Sequence, residues 1–283
     1  TDDGPEVVNE YANQGVRLIQ QTNQGVSAAR NLGLGEAVCE YVAFLDADDL
    51  WQPNHLEQLS ILVACFPDAG LFSTAHQIRR GGLMFNPQSS FSIGWSGIVS
   101  NFYSAYSVGL SLVNSSTACV RKDALIAVGG FPVRERRGED IVAWIKLAMS
   151  HPVAHSNVST VVYNQDALSR TNKLRDQNTP ASLRYLAELM QKKESRREIK
   201  KGLRQLFDRI AFFTAAGFCL EGDKLGAKNI ADLAWHTGRY FTAAAVVILQ
   251  AMPKNLLRIA KRFRGKSIRN KPWFPYLKKT SYD

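Results

Sequence analysis

The chain has 283 residues, 45% of them hydrophobic, with 35 Lys and Arg against 25 Asp and Glu for a net charge of +10. That is ordinary globular composition, with room for one large domain or two modest ones. The four cysteines are widely spaced without a Cys-x-x-Cys pair, which leaves zinc and redox motifs unsupported, and the longest nearly apolar run, residues 240–252, is shorter than the roughly 20 residues a bilayer span needs.

The positive balance points to an anionic partner: a nucleotide, a nucleic acid or an acidic membrane surface. The excess is concentrated after Lys173, in Lys192-Lys193, Arg196-Arg197 and Lys200-Lys201, and again over residues 254–271. Cys39, Cys65, Cys119 and Cys219 sit among apolar neighbours and read as small buried residues, which fits a reducing compartment.

In chain order, Asp3 can cap a helix that Pro5 opens, with Val7, Val8, Tyr11 and Ala12 as its apolar stripe. Residues 16–19 read as a short strand, Asn23-Gln24-Gly25 as a turn, and residues 26–37 as a helix holding Arg30 and Asn31. The stretch that organises the chain follows. Residues 41–45 are apolar without a break, the pattern of a central parallel strand buried on both faces. The strand runs into Asp46, Asp48 and Asp49. Ligands of open α/β sheets gather beyond the carboxyl ends of strands. Three neighbouring carboxylates repel one another there, and a hard divalent cation is the simplest remedy. A helix cap needs one carboxylate, so Asp49 is read as the cap of the next helix and Asp46 and Asp48 as functional.

Pro53 opens that helix, with Leu56, Leu59, Leu62, Val63 and Phe66 on one face, and residues 70–75 form the next strand. Residues 77–115 lack a steady period and read as a long irregular region with a short helix near 98–103; loops of that length often bind substrate. A strand over 118–121 and a helix over 123–128 end at Gly129-Gly130. Glu139 and Asp140 then open a helix with Ile141, Trp144, Ile145 and Ala148 on one face. Two readings of this acidic pair stand together: helix-start acids favoured by the dipole, and catalysis. Trp144 is on the apolar stripe and reads as core. A β-branched strand covers 158–163, and the polar stretch 166–178 marks a domain boundary. The remainder is helical, with a hairpin around Gly238 and a basic amphipathic segment at 254–264 that could lie on an anionic membrane or pack on its own domain.

The stretch from Asn23 through Arg30 and Asn31 to Gly33, then Phe44-Leu45-Asp46-Ala47-Asp48-Asp49, Gly129-Gly130-Phe131 and Glu139-Asp140, resembles the family 2 inverting glycosyltransferases. The resemblance covers roughly residues 1–172 and is specific through the order and spacing of four motifs. It implies an α/β GT-A fold: a mostly parallel sheet with helices on both faces, lacking its first strands. That partial domain would span 1–175, with a helical basic region over 176–283.

The resemblance also implies roles. Asp46 contacts the ribose of a nucleotide-diphosphate sugar, with Ala47 beside it, and Asp48 binds the Mg2+ or Mn2+ that bridges the diphosphate. Arg30 lies near base and phosphates. Asp140 is the general base, with Glu139 beside it at the acceptor, and the turn at 129–131 shapes the acceptor side. Carboxylates and phosphates are the oxygen donors such metals prefer, and a carboxylate can deprotonate an attacking hydroxyl. The expected reaction is inverting sugar transfer to a glycan or lipid-linked acceptor in cell-surface polysaccharide synthesis, in the cytoplasm or at the inner face of the membrane.

Two departures from the family pattern accompany this. The opening Thr1-Asp2-Asp3-Gly4 looks like the tail of a family loop, so the chain is expected to begin partway through the domain and to bind nucleotide weakly by itself. Where some members carry a metal-side His, this chain has Tyr163-Asn164-Gln165-Asp166, and Asp166 could substitute. Three other readings compete with it. A non-catalytic sugar-nucleotide or glycan-binding relative is the main alternative. Nucleic-acid binding is disfavoured, because aromatic and basic residues interleave little in the tail. A phosphatase is disfavoured because Asp49 stands where Thr or Val is expected.

Overall fold

The computed structural model describes residues 3–166, 178–192 and 197–258. Seven strands form one sheet: β1 (Tyr41–Ala43), β2 (Leu50–Trp51), β3 (Leu71–Arg80), β4 (Leu83–Phe85), β5 (Ser96–Ile98), β6 (Ala118–Arg121) and β7 (Val153–Asn164). The order is β1-β6-β3-β7-β2, with β4 on β3 and β5 on β7. The expected α/β sheet is present, but its pairing is mixed rather than mostly parallel. Among the described residues only β3 and β7 run parallel, from Leu71 opposite Val153 to Arg79 opposite Asn164; the other five pairings are antiparallel.

Helices α1 (Gly4–Glu10) and α2 (Val26–Glu36) precede the sheet, and α3 (His55–Cys65), α4 (Phe102–Ser107), α5 (Lys122–Ala127) and α6 (Glu139–Ser150) lie between its strands. One sheet face carries α3, whose Leu59 and Leu62 pack with Phe72, Cys119 and Ala154. The other face belongs to a larger core. In it Leu71, Val120 and Val153 meet Trp144, Ile145 and Leu147 of α6. Helix α6 is buried over most of its circumference: Val142, Ala143, Trp144, Ile145 and Leu147 are all buried, as expected for Trp144, while Ile141 and Ala148 of the expected stripe are half-buried. Each fully buried large side chain contributes about 1.5–3 kcal/mol over its exposed state.

The helical carboxyl-terminal region stands as expected, with α7 (Ala181–Gln191), α8 (Arg197–Glu221), α9 (Lys224–His236) and α10 (Tyr240–Ala251). Its buried residues continue the larger core without a break, through Leu183 and Leu186 of α7 and Leu203 and Phe207 of α8. The boundary expected at 175/176 falls within 167–177, outside the described residues, as does the basic segment beyond residue 258.

Several expectations are corrected. The strand through 41–45 is not central: β1 pairs with β6 alone among the described residues, and its residues are half-buried. Residues 16–19 form no strand, and Val16 and Ile19 are exposed, because no neighbouring strand is there to pair with them among the described residues. The stripe of the first helix is not packed either; α1 has no buried residue. Leu56 points to solvent while Leu59 and Leu62 do not. The irregular region 77–115 holds β4, β5 and α4, the helix a few residues later than expected. Cys39, in the loop before β1, and Cys65, at the end of α3, are exposed, and only Cys119 and Cys219 are buried.

Candidate active site

Three carboxylates and one guanidinium, drawn from three stretches of the sequence, meet beyond the end of β1. Arg30 is on α2, and only 11% of its side chain is exposed. Its Nη2 donates to Asp46 Oδ1 at 2.7 Å and its Nη1 to Glu139 Oε1 at 3.1 Å. The guanidinium also lies 5.4 Å from the centroid of the Phe131 ring, a cation–π position. Burial alone would lower its pKa. The charges of Asp46 and then Asp140 outweigh that and raise it, so the cation is fixed.

The neighbouring Asn31 does a different job. Its Nδ2 donates to the Phe131 carbonyl at 2.7 Å, and its Oδ1 accepts from the Phe131 amide at 2.9 Å. The turn it clamps needs Gly130, whose φ of +63° is left-handed and where a Cβ would stand 2.6 Å from Asn31 Oδ1. Phe131 in turn packs edge-on against Phe44 at 5.3 Å and Trp144 at 5.5 Å. Two consecutive residues of α2 thus tie the carboxylate turn, the glycine turn and the start of α6 together.

The turn after β1 closes through a bond from the Asp49 amide to the Asp46 carbonyl at 3.0 Å. Asp49 does not cap α3. It is buried, accepting from Ser116 Oγ at 2.6 Å and from the Asn164 amide at 2.9 Å, and the residue before α3 is Asn54. Burial pushes its carboxyl up to about 6, against the pull of those two donors. Ser116 also accepts from the Asp46 amide at 3.0 Å, and its carbonyl accepts from Trp51 Nε1 at 2.7 Å. Sequence reasoning placed Asn31 in the motif without a role of its own and missed Ser116, whose only signal was the polar run Asn114-Ser115-Ser116-Thr117 just before a strand.

Asp48 is half-buried beside this turn, and Ala47 between the two aspartates is exposed. Asp48 makes no hydrogen bond or ion pair among the described residues, whereas Asp46 is held by Arg30 and Asp49 by Ser116 and Asn164. No group of three His, Cys, Asp or Glu side chains poised for a metal occurs among the described residues. Asp166 is elsewhere: exposed, its carboxylate accepts from the amides of Gly81 and Gly82 at 2.7 and 3.2 Å.

Glu139 and Asp140 form the first turn of α6 after Gly138, whose φ of +77° is again left-handed. Neither side chain caps the helix; Asp140 Oδ1 accepts from the next amide, Ile141, at 2.8 Å. Burial raises the pKa of both. Asp140 pushes Glu139 further up, while Arg30 pulls both back. The result is a pair of carboxylates poised above the ordinary range, which is the condition of a usable general base or acid. Of the expected residues, Arg30, Asp46, Glu139 and Asp140 are brought together, with Asp48 and Ala47 on the adjoining turn.

A mixed sheet with helices on both faces and an acidic turn beyond one strand is the GT-A fold expected of glycosyltransferases. Residues 1–92 match the model for glycosyl transferase family 2. Among characterised and uncharacterised relatives, the glycosyltransferase YibD of Escherichia coli is 46% identical over 61 residues, 21% of this chain and 18% of that protein. The succinoglycan biosynthesis protein ExoW of Rhizobium meliloti is 49% identical over 43 residues, 14% of each. The matched stretches span 24% or less of the length of the curated relatives. Among solved structures, residues 1–349 of S. aureus TarS, in complex with UDP-GlcNAc, superpose with a TM-score of 0.67 over 94% of this chain and 80% of that one. At 16% identity this likeness speaks to the fold. No helix among the described residues is long and apolar enough to cross a membrane.

Proposed function

We propose that the chain transfers a sugar from a nucleotide-diphosphate donor to a glycan or lipid-linked acceptor, with inversion at the anomeric carbon. The observation that carries this reading is the Arg30 bridge between Asp46, read as the donor-side carboxylate, and Glu139, read with its neighbour Asp140 as the acceptor-side pair. In this reading Asp140 accepts the proton of the acceptor hydroxyl as its oxygen bonds to the anomeric carbon, and the bond to the nucleoside diphosphate breaks on the opposite face. Glu139 holds the guanidinium and the acceptor side in register. Asp46 takes the ribose.

Asp48 is the carboxylate left free for a metal, and one or two carboxylates with substrate phosphates are how Mg2+ is commonly bound. Such an ion would offset the charge of the departing diphosphate. The likeness to ExoW, by its name a succinoglycan biosynthesis protein, supports an acceptor in surface-glycan assembly. The excess of basic residues supports work at the anionic inner face of a membrane.

The test is release of nucleoside diphosphate from a panel of UDP- and GDP-sugars with Mn2+ and glycan acceptors. Release that depends on Mn2+ and is lost in Asp48→Asn supports the reading. Donor binding without release across the panel would instead favour the non-catalytic binding relative.

A further inference from the structure

Next to the acidic start of α6 is a cavity of about 500 Å³ lined by Arg134, Arg136 and Arg137, by residues 178–180 and Arg184 at the start of α7, and by Asn229. Four guanidinium groups face it against one carboxylate, Glu135, and that carboxylate is already paired with Arg184 at 2.5 Å. Arg137 is anchored by stacking 5.4 Å over Phe218. Arg134 and Arg136 are exposed and have no partner among the described residues. Like charges crowded in one concavity repel, and that cost persists unless an anion answers it. Arg134 also holds a left-handed backbone with φ of +66°, an unfavourable state for a side chain of its size.

The helix dipole adds to the field. The eleven-residue α7 starts at the cavity wall with no side-chain cap and no acid in its first turn. Guanidinium forks match the oxygens of phosphate bidentately. The cavity is also fixed to the acidic pair. Gly138, the residue between Arg137 and Glu139, packs so closely on α7 that a Cβ there would stand 2.5 Å from Ser182 Oγ.

We propose that this cavity is a second anion site, separate from the Asp46 to Asp48 turn, that takes a phosphate or diphosphate group. Resting on the transferase reading, the group belongs to the acceptor, held so that its hydroxyl reaches Asp140. The acceptor would then be a phosphate-bearing glycan or lipid rather than a neutral sugar.

The test has two arms. In the first, inorganic pyrophosphate is titrated calorimetrically into the full chain with EDTA present, so that no metal-bridged binding contributes. Wild type binds, and Arg134→Asn with Arg136→Gln weakens binding by about ten-fold, the size of a lost charge-assisted contact. A variant of equal net charge, Lys201→Gln with Arg204→Gln on α8, binds as wild type does. No wild-type binding, or equal losses in both variants, overturns the site. Asn tolerates the left-handed backbone, and thermal melting confirms that both variants fold; should the first unfold, Arg136→Gln alone is compared with Lys201→Gln.

In the second arm, the cavity variant raises KM for a diphosphate-linked acceptor and leaves KM for its dephosphorylated form unchanged. Lost pyrophosphate binding with unchanged KM would make the site one for a free anion and overturn its assignment to the acceptor. The first arm needs no transfer, so failure of the transferase reading and failure of the anion site are told apart.

Discussion

Replacing Arg30 with Gln removes the one cation between Asp46 and Glu139. Two charge-assisted hydrogen bonds go with it, each worth about 1.5–3 kcal/mol when both ends are buried. Asp46 is 36% exposed, so its share shrinks toward that of a surface pair, about 0–1 kcal/mol. Glu139 is 11% exposed in its side chain and keeps its full share. The loss should therefore be about 2–4 kcal/mol where Glu139 is charged, somewhat below the roughly 3–5 kcal/mol of a fully buried pair that loses one member.

The sign with pH follows from the direction of the shifts. Burial already raises Glu139 and Asp140, and Arg30 is what pulls them down. Without it both rise further, the folded state holds protons the unfolded state has released, and stability falls as pH rises. Denaturant unfolding of both proteins at pH 5 and pH 8 should show the larger gap at pH 8. A gap that is equal at the two pH values, or larger at pH 5, would refute the buried bridge.

Other outcomes follow from the same geometry. Asp49→Asn should stabilise the chain at neutral pH by up to about 3 kcal/mol, because the carboxyl shifts from 3.8 to about 6 and one pKa unit is about 1.4 kcal/mol. The folded state keeps that proton between those values, so the advantage should open as pH rises from about 4 to 6 and vanish below; urea titrations across that range check it. Gly130→Ala meets both a φ of +63° and a 2.6 Å approach to Asn31 Oδ1, and should cost about 1–3 kcal/mol. Gly15→Ala, at φ of +83° with open space around it, carries only the backbone strain, so the difference in melting between the two isolates the Asn31 contact.

What could be read from sequence was local. Helix α6, strand β6 and the hairpin of α9 and α10 followed from apolar spacing and from Gly238, and the structure has them within a residue or two. The site motifs were legible because their residue types are rare in such order, and Arg30, Asp46 and Glu139 do meet. The misreadings share a cause: the deciding partner was distant. Asp49 looks like a cap until Ser116 and Asn164, 67 and 115 residues away, claim its oxygens. Residues 41–45 look like a central strand, since an apolar run does not say how many neighbours a strand has; β6 turned out to be its one partner among the described residues. Within 77–115, β4 and β5 are three-residue strands set by their pairing to β3 and β7, too short for any period to show.

The central claim is that Asp140 is the base of a sugar transfer. Asp140→Asn removes the proton acceptor while keeping the shape of the side chain and its bond from the Ile141 amide. Transfer and Mn2+-dependent nucleotide binding would be measured side by side on this variant and on wild type. Transfer should fall by about 10²–10⁴-fold, the usual contribution of general base catalysis, with nucleotide affinity unchanged. Transfer that survives at the wild-type rate would contradict it.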